Sequence, residues 1–160
     1  MTAAISAEAP PEVLAAVTSV SDPEYPGLSI VDLGLMERVE ATERDDGSHV
    51  TVGLIPTFSG CPALAMIAAD VRAAVEAVPG VAVCRVEWLT APVWSVERVT
   101  PAARTRLGAE FSVVLRGADG GLRCPVCGSA DVEDRSLAGP TRCRSVAWCD
   151  DCRNVVEVMR

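Results

Sequence analysis

The sequence predicts a small two-layer α/β body of the α+β kind, followed by a C-terminal four-cysteine module of zinc-ribbon-like type. Three observations predict it. Segments in the order helix–strand–strand–helix–strand–helix run from Glu12 to Leu107. Two C-x-x-C pairs, Cys124-Pro125-Val126-Cys127 and Cys149-Asp150-Asp151-Cys152, stand about twenty residues apart. And 49% of the 160 residues are apolar, enough for one ordinary core with an appendage. The expected organisation is a disordered stretch over residues 1–10, the α/β body over 11–116 and the cysteine-rich module over 117–160.

The first helix is read from Glu12 to Val20, because Val13, Leu14, Val17 and Val20 share a face. Asp22-Pro23-Glu24-Tyr25-Pro26-Gly27 breaks it. Leu28 to Leu35 is extended or a tight bend. Met36 to Thr42 reads as a strand, Asp45 to Ser48 as a turn and Val50 to Ile55 as the returning strand. After Pro56-Thr57-Phe58-Ser59-Gly60-Cys61-Pro62, apolar residues recur every three or four positions from Leu64 to Val78, the clearest amphipathic helix in the chain. Pro79-Gly80 stops it, and Val81 to Leu89 is a further strand. Thr100 and Pro101 fit the cap and first position of a short helix to Leu107. Phe111 to Leu115 is expected to be extended, and Gly117-Ala118-Asp119-Gly120-Gly121 is a linker or hairpin turn.

The two knuckles read as a metal site. Each turns tightly enough to aim both sulfurs at one point, and Gly128 follows the first as such a turn allows. Four thiolates then surround one tetrahedral ion. A segment this short buries little apolar surface, so the ion supplies its folding free energy. The expected ligands are Cys124, Cys127, Cys149 and Cys152, with Cys143 as a spare or alternate ligand. Zinc is the expected ion; tetrahedral sulfur ligation also suits iron or an Fe–S cluster.

Composition excludes several function classes. All fourteen basic residues are arginine, so Schiff-base, pyridoxal and Walker A lysine chemistry is absent. The one histidine, His49, neighbours the Asp45–Ser48 turn and reads as an exposed loop residue. The net charge is −8, and neither part of the chain offers the basic face that phosphate backbones demand, so no nucleic acid is expected. No run of eighteen apolar residues predicts a membrane span. The start, Met1 to Glu8, has no basic stretch and no apolar stretch of signal-peptide type, so a cytoplasmic location is expected. In a reducing compartment, seven cysteines read as metal ligands or reactive thiols.

Cys61 admits two readings. With Pro62 at the first helical position, Cys61 becomes the N-cap candidate, and the free amides and dipole there favour its thiolate. Alternatively it is a small buried hydrophobe at a tight turn. Asp22, Glu24 and Asp32 also have two readings: a helix-terminating turn and a strand-entry cap, or carboxylates neighbouring Cys61. Cys84 reads as core, and Trp94 as a core anchor or a partner contact.

These residues together resemble a known family. Asp22-Pro23-Glu24, Asp32-Leu33-Gly34-Leu35, Thr57-Phe58-Ser59-Gly60-Cys61-Pro62, Pro79-Gly80-Val81 and Ala91-Pro92-Val93-Trp94 resemble the metal–sulfur cluster assembly factor family over residues 12–95. The stretch from Trp94 to Leu107, then Cys124-Pro125-x-Cys127-Gly128-Ser129, Thr141-x-Cys143 and Cys149-x-x-Cys152, is similar to the PaaD type, an accessory subunit of phenylacetyl-CoA epoxidase. Three stretches depart from that type: Ser95 to Val99, Gly139-Pro140-Thr141 and the closing Val155 to Arg160.

The resemblance implies a non-enzymatic factor that matures or delivers the Fe–S cluster of a multicomponent oxygenase in phenylacetate breakdown. It implies Cys61 as the reactive, cluster-transferring thiol holding a transient Fe–S cluster. It implies the oxygenase reductase subunit, or another Fe–S protein, as client; a homodimer is admitted. The alternatives are an integral structural subunit of the oxygenase and a more general Fe–S carrier. A thiol-dependent enzyme built on Cys61 lacks an adjacent base, since only His49 is available.

Overall fold

A computed structural model describes residues 9–159, a mixed α+β chain that divides into two compact units. The first runs to Pro56 and resumes from Pro62 to Arg98; the second comprises Thr57–Cys61 and the chain from Val99 onward. The expected disorder over residues 1–10 lies, for 1–8, outside the described residues.

In the first unit, α1 spans Pro11–Thr18, with proline at its first position and Val13 and Val17 buried. It stops before the expected Val20. The Thr18 hydroxyl donates to the Leu14 carbonyl and the Ser19 hydroxyl to that of Ala16, so side chains satisfy the last turn. β1 (Met36–Arg44) and β2 (Gly47–Leu54) form an antiparallel hairpin in which Val39 faces Val52 and Arg44 faces Gly47. Asp45 and Asp46 are the two-residue turn, and Gly47 supplies a φ of 122°. α2 (Leu64–Glu76) buries Ile67, Val71 and Val75. β3 (Val81–Trp88) then pairs parallel to β2, giving the order β1-β2-β3. A parallel neighbour needs a crossover, and α2 is that crossover.

Residues 28–35 are the tight bend, not an extended strand. Leu33 N–H donates to the Ser29 carbonyl, Gly34 N–H to that of Val31 and Leu35 N–H to that of Ile30. Two side chains fasten this bend. Trp94 Nε1 donates to the Leu33 carbonyl at 2.9 Å, and Arg98 Nε to the Gly34 carbonyl at 2.7 Å. Trp94 is therefore an anchor within the first unit.

In the second unit, α3 covers Pro101–Phe111. Thr100 caps it as the sequence predicts, its Oγ1 accepting from the Ala103 N–H at 3.2 Å. The helix runs four residues beyond the expected Leu107 and ends where Ser112 takes a φ of 56°. Phe111 is thus helical. The short β4 (Val113–Val114) pairs parallel to β7 (Val155–Met159). β5 (Val132–Ser136) and β6 (Arg144–Cys149) complete an order β4-β7-β6-β5. Because α3 leads into β4 and β4 pairs with the last strand, α3 groups with the second unit, which resumes at Val99.

Candidate metal centre and the Cys61 loop

The four ribbon cysteines come together from two knuckles. Cys124 precedes a turn closed by the Gly128 N–H on the Cys124 carbonyl at 2.9 Å. Cys149, the last residue of β6, precedes a turn closed by the Arg153 N–H on the Cys149 carbonyl, also at 2.9 Å. Each closing residue is left-handed: Gly128 has φ 76° and Arg153 φ 58°. The sequence marks the first of these with a glycine and leaves the second unmarked. The knuckles are joined directly. Asp150 N–H donates to the Asp131 carbonyl at 3.0 Å, and the Ser129 hydroxyl donates to the Asp151 carboxylate.

The sulfurs fit one tetrahedral ion. Cys124 Sγ lies 3.5 Å from Cys152 Sγ, and Cys127 Sγ lies 3.6 Å from Cys149 Sγ. All four sulfurs are within 4.8 Å of one another. Zinc–sulfur bonds of about 2.3 Å arranged tetrahedrally place sulfurs about 3.8 Å apart. Among the described residues this is the one group whose ligand atoms converge so. Cys143 lies outside it, buried, with its Sγ 3.2 Å from the Thr141 Oγ1.

Electrostatics agree with the donor set. The Asn154 side-chain amide, 3.5 Å from the Cys152 Sγ, holds that thiol down to about 6, with the other three cysteines adding to the effect. The Ser129 N–H pulls Cys127 the same way, but desolvation and the neighbouring cysteines prevail and push it up to about 12. Four sulfurs this close cannot all ionise unaided; a divalent cation among them supplies the balancing charge. The apolar support is thin. Leu122, Ala147, Val156 and Val158 pack with Cys124 and Cys149, so two of those six core residues belong to the converging cysteines.

Cys61 stands elsewhere. Its N–H donates to the Phe58 carbonyl at 3.1 Å, and it is half-buried. Gly60 lies under the Phe58 ring, where a Cβ would meet Cε1 at 2.8 Å. The N-cap of α2 is Ala63 and not Cys61. Pro62 and Ala63 continue the turn, and Ala63 is already in the helical region with φ −72° and ψ −16°, so the cap position moves two residues along the chain. The N-cap reading is therefore corrected. Asp22 takes the turn role: its Oδ1 accepts the Glu24 N–H at 2.8 Å and its own N–H donates to the Leu28 carbonyl. Asp22, Glu24 and Asp32 belong to the first unit, whereas Cys61 groups with the second. Cys84 is buried in β3, its N–H donating to the Glu76 carboxylate at 3.0 Å. His49 lies in β2, not the loop, with Nε2 2.9 Å from the Asp46 carboxylate across the turn.

Comparison with known proteins also divides the chain into two parts. Residues 11–88 match the model of an iron–sulfur cluster assembly protein, and residues 108–160 match the PaaD zinc beta ribbon domain. A protein from Escherichia coli, named as a subunit of a "Putative 1,2-phenylacetyl-CoA epoxidase", is 33% identical over 155 residues, covering 91% of this chain and 90% of its own length. The chain belongs to the iron–sulfur cluster assembly protein family, in the branch that carries the PaaD zinc ribbon.

Other relatives match about three fifths of the chain. An Fe-S protein maturation auxiliary factor of Porphyromonas gingivalis is 34% identical over 97 residues, which is 61% of this chain and 89% of that one. Among solved structures, a conserved hypothetical protein of Thermotoga maritima is 31% identical with a TM-score of 0.52, covering 64% of this chain and 97% of that one. A domain of unknown function from Bacillus anthracis is 32% identical at the same TM-score of 0.52, covering 60% and 88%. In this branch Cys61 falls in the assembly match and all four converging cysteines fall in the ribbon match.

Proposed function

We propose that this protein is an accessory factor that matures or delivers the Fe–S cluster of a multicomponent phenylacetyl-CoA epoxidase. It acts without catalysing a reaction of its own, in the cytoplasm. The observation that carries the reading is the joining, in one chain, of an assembly-type unit to a four-cysteine ribbon, along a near full-length match to a protein named as an epoxidase component. The maturation factors that match 61% of the chain support the assembly role.

In this reading Cys61 is the cluster-transferring thiol. The thiolate ligates one iron of a transient cluster; a client thiolate then replaces it, one iron–sulfur bond breaking as another forms, with no change of oxidation state. The client is the reductase component of the oxygenase, or another Fe–S protein. The ribbon holds zinc through Cys124, Cys127, Cys149 and Cys152 as a structural ion, with Cys143 standing by. A cell carrying Cys61→Ser should accumulate oxygenase reductase lacking its cluster, measured by iron content and visible absorption. Normal cluster occupancy in that cell removes Cys61 from the proposal.

A second reading is favoured by the name of the Escherichia coli relative, which makes that protein a component of the epoxidase: an integral structural part of the oxygenase. It requires co-purification at fixed stoichiometry and a need for the protein at turnover. Fully matured oxygenase that works without it excludes this reading.

A further inference from the structure

We infer that the ribbon is an oxidant-responsive switch, in which a hydroperoxide replaces metal ligation by two disulfides, Cys124–Cys152 and Cys127–Cys149, each running from one knuckle to the other. This second state rests on the proposed reading of the four cysteines as a structural metal site.

Reach, access and connection all point the same way. Cys124 Sγ lies 3.5 Å from Cys152 Sγ, and Cys127 Sγ lies 3.6 Å from Cys149 Sγ. A disulfide bond is about 2.0 Å long, so each pair has about 1.5 Å to close. Each pair also sets an accessible sulfur against a buried one. Cys127 is exposed and Cys149 buried; Cys152 is half-buried and Cys124 buried. A hydroperoxide arriving from water meets the outer sulfur first, and the inner sulfur is already beside it. Finally, both bonds would tie one knuckle to the other, the same junction that shared ligation makes. The hydrogen bonds already there, Asp150 N–H to the Asp131 carbonyl at 3.0 Å and the Ser129 hydroxyl to the Asp151 carboxylate, are kept. Bonds within each C-x-x-C pair would leave the knuckles untied. Cys61, Cys84 and Cys143 stand outside the converging set.

The chemistry balances with hydrogen peroxide as the oxidant. The outer sulfur takes one oxygen, the O–O bond breaks, and the other oxygen leaves as water; the sulfur is now a sulfenic acid. The inner sulfur attacks it, the S–S bond forms, and the transferred oxygen leaves as a second water. Each disulfide consumes one peroxide and gives two waters, the protons coming from the thiols, or from solvent where the sulfurs start as thiolates. Two sulfurs are oxidised and one peroxide reduced in each pair. Sulfurs joined in disulfides are no longer thiolates and so no longer hold a metal.

The test treats the full-length, metal-loaded protein with hydrogen peroxide, caps the remaining thiols with iodoacetamide and maps disulfides by mass spectrometry. A chromogenic chelator follows metal release in parallel. Elemental analysis before treatment separates the two readings: a chain without metal fails the structural-metal reading, and the disulfide map still judges the pairing. Release of the bound metal is expected together with both cross-knuckle disulfides, Cys127–Cys149 forming first because Cys127 is the more exposed. Dithiothreitol should restore four thiols and metal binding. Cys127→Ser should still form Cys124–Cys152 and leave Cys149 open to capping; if that variant misfolds, the wild-type map decides. The proposal is overturned by disulfides joining Cys124 to Cys127 and Cys149 to Cys152, by oxidation to sulfinic acids without any disulfide, or by four thiols that stay reduced at a peroxide dose that oxidises free glutathione.

Discussion

Arg98 and Gly34 are in contact so close that neither residue's place in the fold is separable from the other's. The Arg98 Nε donates to the Gly34 carbonyl at 2.7 Å, and its Nη2 donates to the Met36 carbonyl at 3.0 Å. A Cβ on Gly34 would fall on the Arg98 Cβ and lie 2.7 Å from the Arg98 carbonyl oxygen. Gly34 also has φ 74°, a region that L side chains rarely adopt.

Gly34→Ala therefore meets two costs at once. Left-handed backbone with a Cβ costs about 1–2 kcal/mol, and overpacking against rigid backbone costs about 1–3 kcal/mol more. Urea denaturation should show a loss of about 2–5 kcal/mol. A loss under about 0.5 kcal/mol would mean that the bend and the Arg98 segment move apart freely.

Arg153 offers the opposite experiment. It closes the second knuckle at φ 58°, where Gly128 closes the first at φ 76°. Its side chain is exposed, so little packing is at stake. Arg153→Gly should stabilise the second unit by about 0.5–1 kcal/mol, the left-handed strain relieved less the added chain entropy of glycine. A raised thermal midpoint with unchanged metal content is the expected result; a fall would show that the arginine side chain contributes through contacts of its own.

Metal removal tests the ribbon. The apolar cluster around the four converging cysteines includes two of them, so ligation is expected to contribute much of the free energy that orders the two knuckles. Elemental analysis should find one ion per chain. Cys149→Ser should release it and shift the fluorescence of Trp148, the neighbouring residue on β6, toward the emission of an exposed indole. Cys143→Ser should do neither, because its sulfur lies outside the converging set. Retention of stoichiometric metal by Cys149→Ser would break the tetrahedral assignment.

What the sequence made legible was local. Thr100-Pro101 announces the cap and first turn of α3, Asp45 to Ser48 announces the hairpin, and the two C-x-x-C pairs announce the converging sulfurs. What it concealed was non-local. Nothing in the short run Val113–Val114 says that it will pair parallel to β7, and that pairing puts α3 in the ribbon unit. The Arg98 clamp joins residues about sixty positions apart, which periodicity does not report. The Cys61 cap failed for a subtler reason. Proline fits a helix's first position but also fits a turn, and here Pro62 and Ala63 use the turn before the cap.

Burial of Cys84 has a consequence at alkaline pH. The residue is 3% exposed, and desolvation, with the Glu76 carboxylate adding to it against the opposing charge of Arg72, pushes its thiol from 9.0 up to about 11. In the folded protein the proton is therefore held to higher pH than in the unfolded chain. Stability falls with rising pH wherever the folded state binds more protons, so the contribution is whole below about pH 9 and is lost as pH rises toward about 11. The full effect is about 2–3 kcal/mol, at 1.36 kcal/mol for each pH unit of difference. Arginines and Tyr25 remain in both proteins when wild type is compared with Cys84→Ala, so the difference isolates the thiol. Denaturant titrations at pH 8 and at about pH 10.5 should show wild type losing more stability than the variant. Equal slopes in the two proteins would mean that water reaches the Cys84 sulfur in the folded state.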